Sequence, residues 1–389
     1  MFRVDTRPLV VRIMPVLDFG GAESRVVLQS RMSDGRPYRL RVITLHKAGA
    51  AASEIRDAGV PVDDLRLNPS IRDLRTTIRL AMHLRKLHPR IIHASVGEAI
   101  VHGLLAGRMA GVPVRIGEEV GMPSHSWRLR PFMRALYASA TRIVGVTKAV
   151  CDYLVTADGA PPAKVVHTYT CADPSFFSQP DVRAPAPTSN AEFRILHVGR
   201  LDPVKNQVTL LRAFARAHSR ESRLRLRILG EGKEREKLET LRTELGLEDV
   251  VELPGFTPDI RTHLLESHLF ALPSLSEGCS ISMIEAMSTG VPIVASKVGG
   301  NMEVLGDHAD RWTVHPEDVD GLSGLMLDVA GLPKEAWKAL SSSLQKRAHS
   351  AFSPDAYMNR LDRLYDEASA ASGLSGLQSP QRETGASRP

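Results

Sequence analysis

Cysteine is scarce in this chain: Cys151, Cys171 and Cys279 are the three among 389 residues. So few exclude a disulfide scaffold, and their spacing forms no CxxC pair of the kind that holds structural zinc. A reduced compartment follows. Aromatic residues are only 5%. With no recognised nucleic-acid-binding motif, this argues against a nucleic-acid partner. Uncharged apolar runs of about 20 residues are missing, so no segment is long enough to span a bilayer. The first eight residues, Met1 to Pro8, also lack the apolar stretch of a secretion signal. The expectation is a cytoplasmic protein.

What is present is ordinary for a soluble globular protein: 43% hydrophobic and 24% charged residues. That composition excludes a wholly disordered chain, a coiled coil and a collagen. The net charge of +6 is unevenly placed. Residues 1–185 hold 26 Lys and Arg against 16 Asp and Glu, while the remainder holds 24 against 28. The basic first half suits an anionic partner such as phosphate or a lipid surface. A solvated basic surface with no partner accounts for the charge equally well.

At typical domain sizes the length suggests two domains. The stretch from Ser178 to Asn190 is proline-rich, polar and poor in large apolar residues, and reads as a linker. The division expected is a first domain over 1–178, a linker over 179–191, a second domain over 192–369 and a disordered tail over 370–389. In the first half, strands are expected at Leu9–Met14, Leu40–Leu45, Arg90–Ala94, Pro113–Ile116 and Arg142–Val146. Helices are expected at Asp73–Leu87 and Pro131–Ala140. In the second half, strands are expected at Arg194–Val198, Leu224–Leu229, Val250–Leu253, Leu269–Leu272 and Pro292–Ala295. Helices should start near Gln207, Lys233, Ile260 and Ser280. Such alternation predicts parallel sheets covered on both faces, that is, two doubly wound α/β domains facing each other. Ligands of such sheets bind at the carboxyl ends of the strands.

The stretch FRILHVGRLDPVKN (193–206) runs a strand into a loop at Gly199 and places Arg200 and Lys205 before a helix, with Asn206 as a candidate cap. Two cations and free backbone N–H groups at a strand end suit a diphosphate. The same residues could equally be a helix entry with two solvated cations. In FALPSLSEGCSISMIEAM (270–287), Glu277 lies in a loop and Glu285 in the helix that follows. An eight-residue helical step rises about 12 Å. That is more than the roughly 5–9.5 Å between a glycosidase's paired carboxylates. The spacing therefore suits two acceptors gripping separate hydroxyl groups of one long ligand. Small residues Gly278 and Ser280 would let a ligand approach the backbone. A solvent-facing helix glutamate is the other reading of Glu285.

With these residues in place, the sequence resembles the retaining GT-B glycosyltransferases of family four. The resemblance covers nearly the whole chain. It rests on Gly20-Gly21-Ala22-Glu23, VGRLDPVKN (198–206), ILGEGKER (228–235), LPGF (253–256), the Glu277-to-Glu285 element and GVPIVASKVGGNMEVL (290–305). It implies the GT-B fold, two Rossmann-like domains across a cleft. It also implies transfer of a sugar from a nucleotide diphosphate donor, which is a substrate; no cofactor is expected. By the resemblance, Arg200 and Lys205 hold the diphosphate and stabilise the departing nucleotide, and Glu277 contacts donor-sugar hydroxyls. Glu285 holds the ribose, and the backbone from Ser280 through Ile281 and Ser282 to Met283, beside Gly278 and Cys279, covers sugar and phosphates. Gly199, Gly255 and Phe256 line the nucleotide, and Gly20 and Gly21 close over the donor. Metal-independent transfer is expected, because no aspartate cluster stands beside the two cations. Retention, by front-face attack, comes from the resemblance.

Two departures stand out. Where many relatives carry a histidine, this chain has Glu118-Glu119, and Glu119 in particular could orient the donor sugar or the acceptor. It could equally pair with Arg115 or Arg128. The second is Tyr169-Thr170-Cys171-Ala172-Asp173, which leaves a hinge-side contact open. His93 closes a strand and could touch the acceptor, although a packed histidine is the simpler reading, as for His197 and His102. Cys279 reads as a packing residue. Residues 71–89 and 125–141 are basic and amphipathic. The first reads as a solvated helix with a core-facing stripe. The second, with Trp127 and Phe132, reads as a contact with the anionic inner face of the plasma membrane, which would suit a lipid-linked acceptor. Polysaccharide, lipopolysaccharide or glycolipid assembly is the expected setting. A sugar-nucleotide epimerase and a non-catalytic sugar-nucleotide-binding protein are the alternatives.

Overall fold

Strands buried on both faces need nearly continuous apolar runs, and the chain supplies two sets of them. The computed structural model describes residues 5–18, 20–67, 70–122, 125–178, 184–188 and 191–377. It divides into two compact units. The first contains strands β1 (Leu9–Met14), β2 (Arg39–Thr44), β3 (Val62–Asp64), β4 (Ile91–Ser95), β5 (Val114–Glu119), β6 (Arg142–Gly145) and β7 (Val165–His167). They form a parallel sheet in the order β3-β2-β1-β4-β5-β6-β7. Val11, Ile13, Ile43, Ile92 and Ala94 pack with Leu80, Ala81 and Leu84 of the helix Leu74–Leu87 in its core.

The second unit contains β8 (Phe193–Val198), β9 (Leu224–Leu229), β10 (Val251–Gly255), β11 (Leu269–Leu272), β12 (Ile293–Ser296) and β13 (Thr313–Val314). Its parallel order is β10-β9-β8-β11-β12-β13. In each sheet the chain builds outward from one central strand, then crosses to that strand's other side. The reversal falls between β1 and β4 in the first unit and between β8 and β11 in the second. Loops at the carboxyl ends of such a strand pair splay apart, which is where doubly wound sheets take ligands.

The expected strands all form, within one to three residues at each end. The short outer strands β3, β7 and β13 were not expected, because two or three residues carry no readable periodicity. The domain boundaries need correction. The second unit comprises Thr147–Val150 and Tyr169–Tyr357 rather than starting after a linker, and residues 358–377 belong to the first unit rather than the second. The last helix, Pro354–Ala370, supplies the reason. Tyr365 packs edge-on against Tyr38 at 5.3 Å, and its hydroxyl receives a hydrogen bond from Gln29 Nε2 at 3.1 Å. Asp362 pairs with Arg36 at 2.7 Å. The tail is ordered past residue 370: Ser372 Oγ donates to the Pro113 carbonyl at 3.3 Å. Residues 378–389, and most of the expected linker (179–183 and 189–190), lie outside the described residues.

Candidate active site

In the second unit the two candidate loops leave neighbouring strands, β8 and β11. After β8, Gly199 hydrogen-bonds to the Leu229 carbonyl and Leu201 to that of Glu231, so the start of the loop stays tied to the strand beside it. A Cβ at Gly230, where φ is +141°, would sit 2.0 Å from the Gly199 oxygen, so only glycine admits this approach. Arg200 projects outward with 81% of its side chain exposed, 3.3 Å from Asp202. Pro203–Lys205 forms a single 3₁₀ turn. Contrary to expectation, the Asn206 side chain does not cap the helix Gln207–His218. It adopts the left-handed region at φ 55°, and its Nδ2 donates to the carbonyls of Pro273 (3.1 Å) and Pro316 (2.8 Å). It thereby fastens the Arg200–Lys205 loop to the loop after β11.

That second loop carries Glu277. Its Oε1 accepts from Lys205 Nζ at 2.7 Å and from Ser274 Oγ at 2.7 Å. The Glu277 carbonyl accepts from the Gly300 amide at 3.1 Å. A Cβ on Gly299, at φ +41°, would fall 1.9 Å from that carbonyl. The Gly299-Gly300 pair therefore sets the height of the Glu277 loop. In the sequence, the signal for this role is two adjacent glycines after a predicted strand.

The helix Ile281–Ser288 starts at Ser280, whose side chain accepts from the Met283 amide at 3.3 Å. The first-turn amides of a helix point out of its start and favour negative charge. Ile281, Ser282 and Cys279 are half-buried beside them, and Gly278 is buried; Ile281 and Cys279 pack against the core. Glu285 is half-buried rather than solvated. Burial, and the negative charge of Asp173, push its carboxyl up to about 8, and no hydrogen bond compensates it among the described residues. A protein carboxyl in that condition is poised for a donor of hydroxyl hydrogens. Gly255 ends β10 at φ 98°, and Phe256 beside it leaves 70% of its surface open. His197 is structural. Burial, together with repulsion from Lys205, lowers it to about 4, while its Nδ1 donates to the Ala271 carbonyl and its Nε2 accepts from Gln207.

In the first unit, Gly20 and Gly21 lie exposed at the start of the helix Gly21–Arg31 after β1. Two acceptor-side candidates at the β4 and β5 ends are internal, and for His93 the simpler packed reading holds. Glu118 is fully buried and accepts from Arg12 at 2.9 Å, Arg25 at 2.8 Å and Ser95 at 2.6 Å. Burial alone would raise its pKa, but Arg25 and Arg12 outweigh it and hold the carboxyl well below the usual range. His93 is also fully buried, with Nδ1 3.0 Å from the Tyr365 hydroxyl and burial lowering it to about 4. Neither can touch an acceptor, because strand pairing places them inside an ion-paired core. Successive strand residues face opposite sides, so Glu119 points elsewhere. It pairs with neither Arg115 nor Arg128. Its Oε1 accepts from the Tyr137 hydroxyl at 2.9 Å, and burial raises it despite that bond.

The helix Leu74–Leu87 also differs from expectation. Leu84 faces the core, yet Leu74 (68% exposed), Ile78 and Met82 form an outward row among exposed Arg75 and Arg79. Trp127 is 73% exposed with the Arg128 guanidinium 5.3 Å above its ring, whereas Met133 is buried. Among the described residues, no helix is long and apolar enough to cross a membrane.

Two family profiles match the chain. That described as "Glycosyl transferases group 1" covers residues 178–348. The other, described as "Glycosyl transferase 4-like domain", covers residues 20–169. Together the two matches span most of the chain and support a group 1 glycosyltransferase. Among curated relatives, the putative colanic acid biosynthesis glycosyltransferase WcaL of Salmonella typhimurium is 26% identical over 53% of this chain and 52% of its own. The chain thus matches about half the length of that relative. The UDP-Gal:alpha-D-GlcNAc-diphosphoundecaprenol alpha-1,3-galactosyltransferase of Escherichia coli is 26% identical over 67% of this chain and 71% of its own. Among solved structures, Anabaena Alr3699/HepE in complex with UDP and glucose superposes with a TM-score of 0.78. It covers 92% of this chain and 99% of that one, at 20% identity, a likeness of GT-B fold.

Proposed function

We propose that the chain transfers a glycosyl group from a nucleotide diphosphate sugar to a saccharide or lipid-linked acceptor. The observation that carries this reading is the meeting of Lys205 and Glu277 at the carboxyl ends of β8 and β11, with Arg200 in the first loop and Glu285 in the helix after the second. Arg200, Lys205 and the start of the helix Ile281–Ser288 supply fixed positive potential for a diphosphate. The bond from the anomeric carbon to the diphosphate oxygen breaks and its electron pair stays on that oxygen. The cations stabilise the developing charge. That oxygen takes the proton of the acceptor hydroxyl as the new bond forms on the same face, giving retention. Two fixed cations perform the task a metal would, so the reaction is metal-independent. Glu277 accepts from donor-sugar hydroxyls and Glu285 from the ribose.

Polysaccharide, lipopolysaccharide or glycolipid assembly is the setting, supported by relatives named for colanic acid synthesis and for a diphosphoundecaprenol acceptor. The outward apolar row of the helix Leu74–Leu87, flanked by arginines, and exposed Trp127 support contact with an anionic membrane surface at the cytoplasmic face. The test is a thermal-shift screen with UDP- and GDP-sugars, since a true donor raises stability by mass action. It is followed by assay of nucleotide release with saccharide and undecaprenyl-diphosphate acceptors. No shift with any nucleotide sugar would overturn the reading. Release that needs an acceptor supports transfer.

A further inference from the structure

The opposite edge of the first unit's sheet, where its strands begin, holds a polar cavity of about 530 Å³ that is widely open to solvent. Its walls include Arg108 at the end of the helix Gly97–Met109, Arg115 at the start of β5, Arg142 at the start of β6 and Lys164 just before β7. Four cations thus converge from four different elements, and among the described residues no carboxylate lines the cavity. None of the four forms an ion pair among the described residues, although the chain has many such pairs elsewhere.

Their neighbours explain how the cluster persists without a counter-charge. Lys164 Nζ donates to the carbonyls of Ala138 and Ala140, and Arg115 to that of Ser139. These carbonyls end the helix Arg130–Ser139, so two cations cap its negative end. A helix terminus carries only about half an elementary charge, however, which leaves most of the positive charge uncompensated. Arg115 Nε is buried and has no hydrogen-bond partner. The charges acting on Arg115 and Lys164 are other cations, and together with burial they lower both pKa values. Like charges gathered at such a cost to one another, in a cavity of small-molecule size, form a site for an anion.

We propose that this cavity binds a ligand bearing two or more phosphate charges, at a place separate from the donor site. The source of the phosphate can be a soluble diphosphate or a lipid headgroup, and the experiment distinguishes them. Inorganic diphosphate is titrated calorimetrically at low ionic strength into the full chain in three forms: parent, R200A/K205A and R108A/R142A. Vesicles containing cardiolipin, whose headgroup carries two phosphate charges, are tested on the same proteins by sedimentation. Removing two of the four cations should weaken binding by at least about tenfold, as expected for charged hydrogen bonds, while nucleotide-sugar affinity stays at the parent value. A soluble source appears as loss of diphosphate binding in R108A/R142A with retention in R200A/K205A. A lipid source appears as the same pattern with vesicles alone. R108K/R142K should restore binding, and Arg142→Gln alone serves if the double variant does not fold. Parent affinity for both probes in R108A/R142A overturns the proposal.

Discussion

Glu285 offers the sharpest test of the donor site. Burial and Asp173 raise its carboxyl to about 8, so at pH 7 it is about nine-tenths protonated by simple titration arithmetic. Holding a ribose diol requires the carboxylate, which accepts two O–H bonds, and those bonds favour the charged form. Donor binding should therefore expel about 0.9 proton per site at pH 7. The assay is calorimetry of a nucleotide sugar in several buffers of different ionisation enthalpy, where the slope of heat against that enthalpy counts protons. Affinity should also rise by up to about tenfold per pH unit from pH 6 until it levels off near pH 8. Glu285→Gln removes both effects and weakens binding. The reasoning is refuted by a zero slope in the parent, or by an unchanged slope in the glutamine variant.

Four further outcomes are expected. Arg200→Ala or Lys205→Ala should lower kcat by about 10²–10³, the usual effect of losing one contact to developing charge; parental rates in steady-state assays would remove them from the chemistry. EDTA should leave turnover unchanged, and activity lost to chelation but restored by Mg²⁺ or Mn²⁺ would reverse the metal assignment. Glu118→Gln should cost about 3–5 kcal/mol in urea denaturation, because one carboxylate serves two buried guanidinium groups. Since folding depresses its pKa, this stabilisation is complete above about pH 4.5 and fades as the pH falls further; a variant as stable as the parent at pH 7 would contradict it. Replacing both Ile78 and Met82 by Glu should reduce sedimentation with anionic vesicles several-fold at unchanged stability, and equal sedimentation would exclude this helix from the membrane surface.

Where chemistry depends on neighbours in sequence, the chain was readable. Arg200 and Lys205 share one loop, and Glu277 and Glu285 share a loop and the helix it starts. The apolar runs on either side fix those loops at strand ends, so two doubly wound sheets and their candidate donor residues followed from local pattern. Residues brought together from afar were not readable. Glu118 and Glu119 are adjacent and identical in type, yet one is claimed by Arg12 and Arg25 and the other by Tyr137. Strand alternation sets them on opposite faces, both of them buried, and only packing decides which partner each one meets.

The same limit explains the remaining differences. An amphipathic helix such as Leu74–Leu87 carries two apolar rows, and periodicity does not say which one a sheet will cover. Tyr365 reaches Gln29 across 336 positions of sequence, which moved the end of the chain into the first unit. Arg108, Arg115, Arg142 and Lys164 look like scattered surface charge until parallel pairing sets the starts of β5, β6 and β7 side by side. The sequence alone determined the strand–helix alternation and the residues each loop carries, because those depend on local periodicity and on the few residue types a turn accepts. Tertiary structure alone decided which charges are buried together, because that depends on which distant strands and helices share a wall.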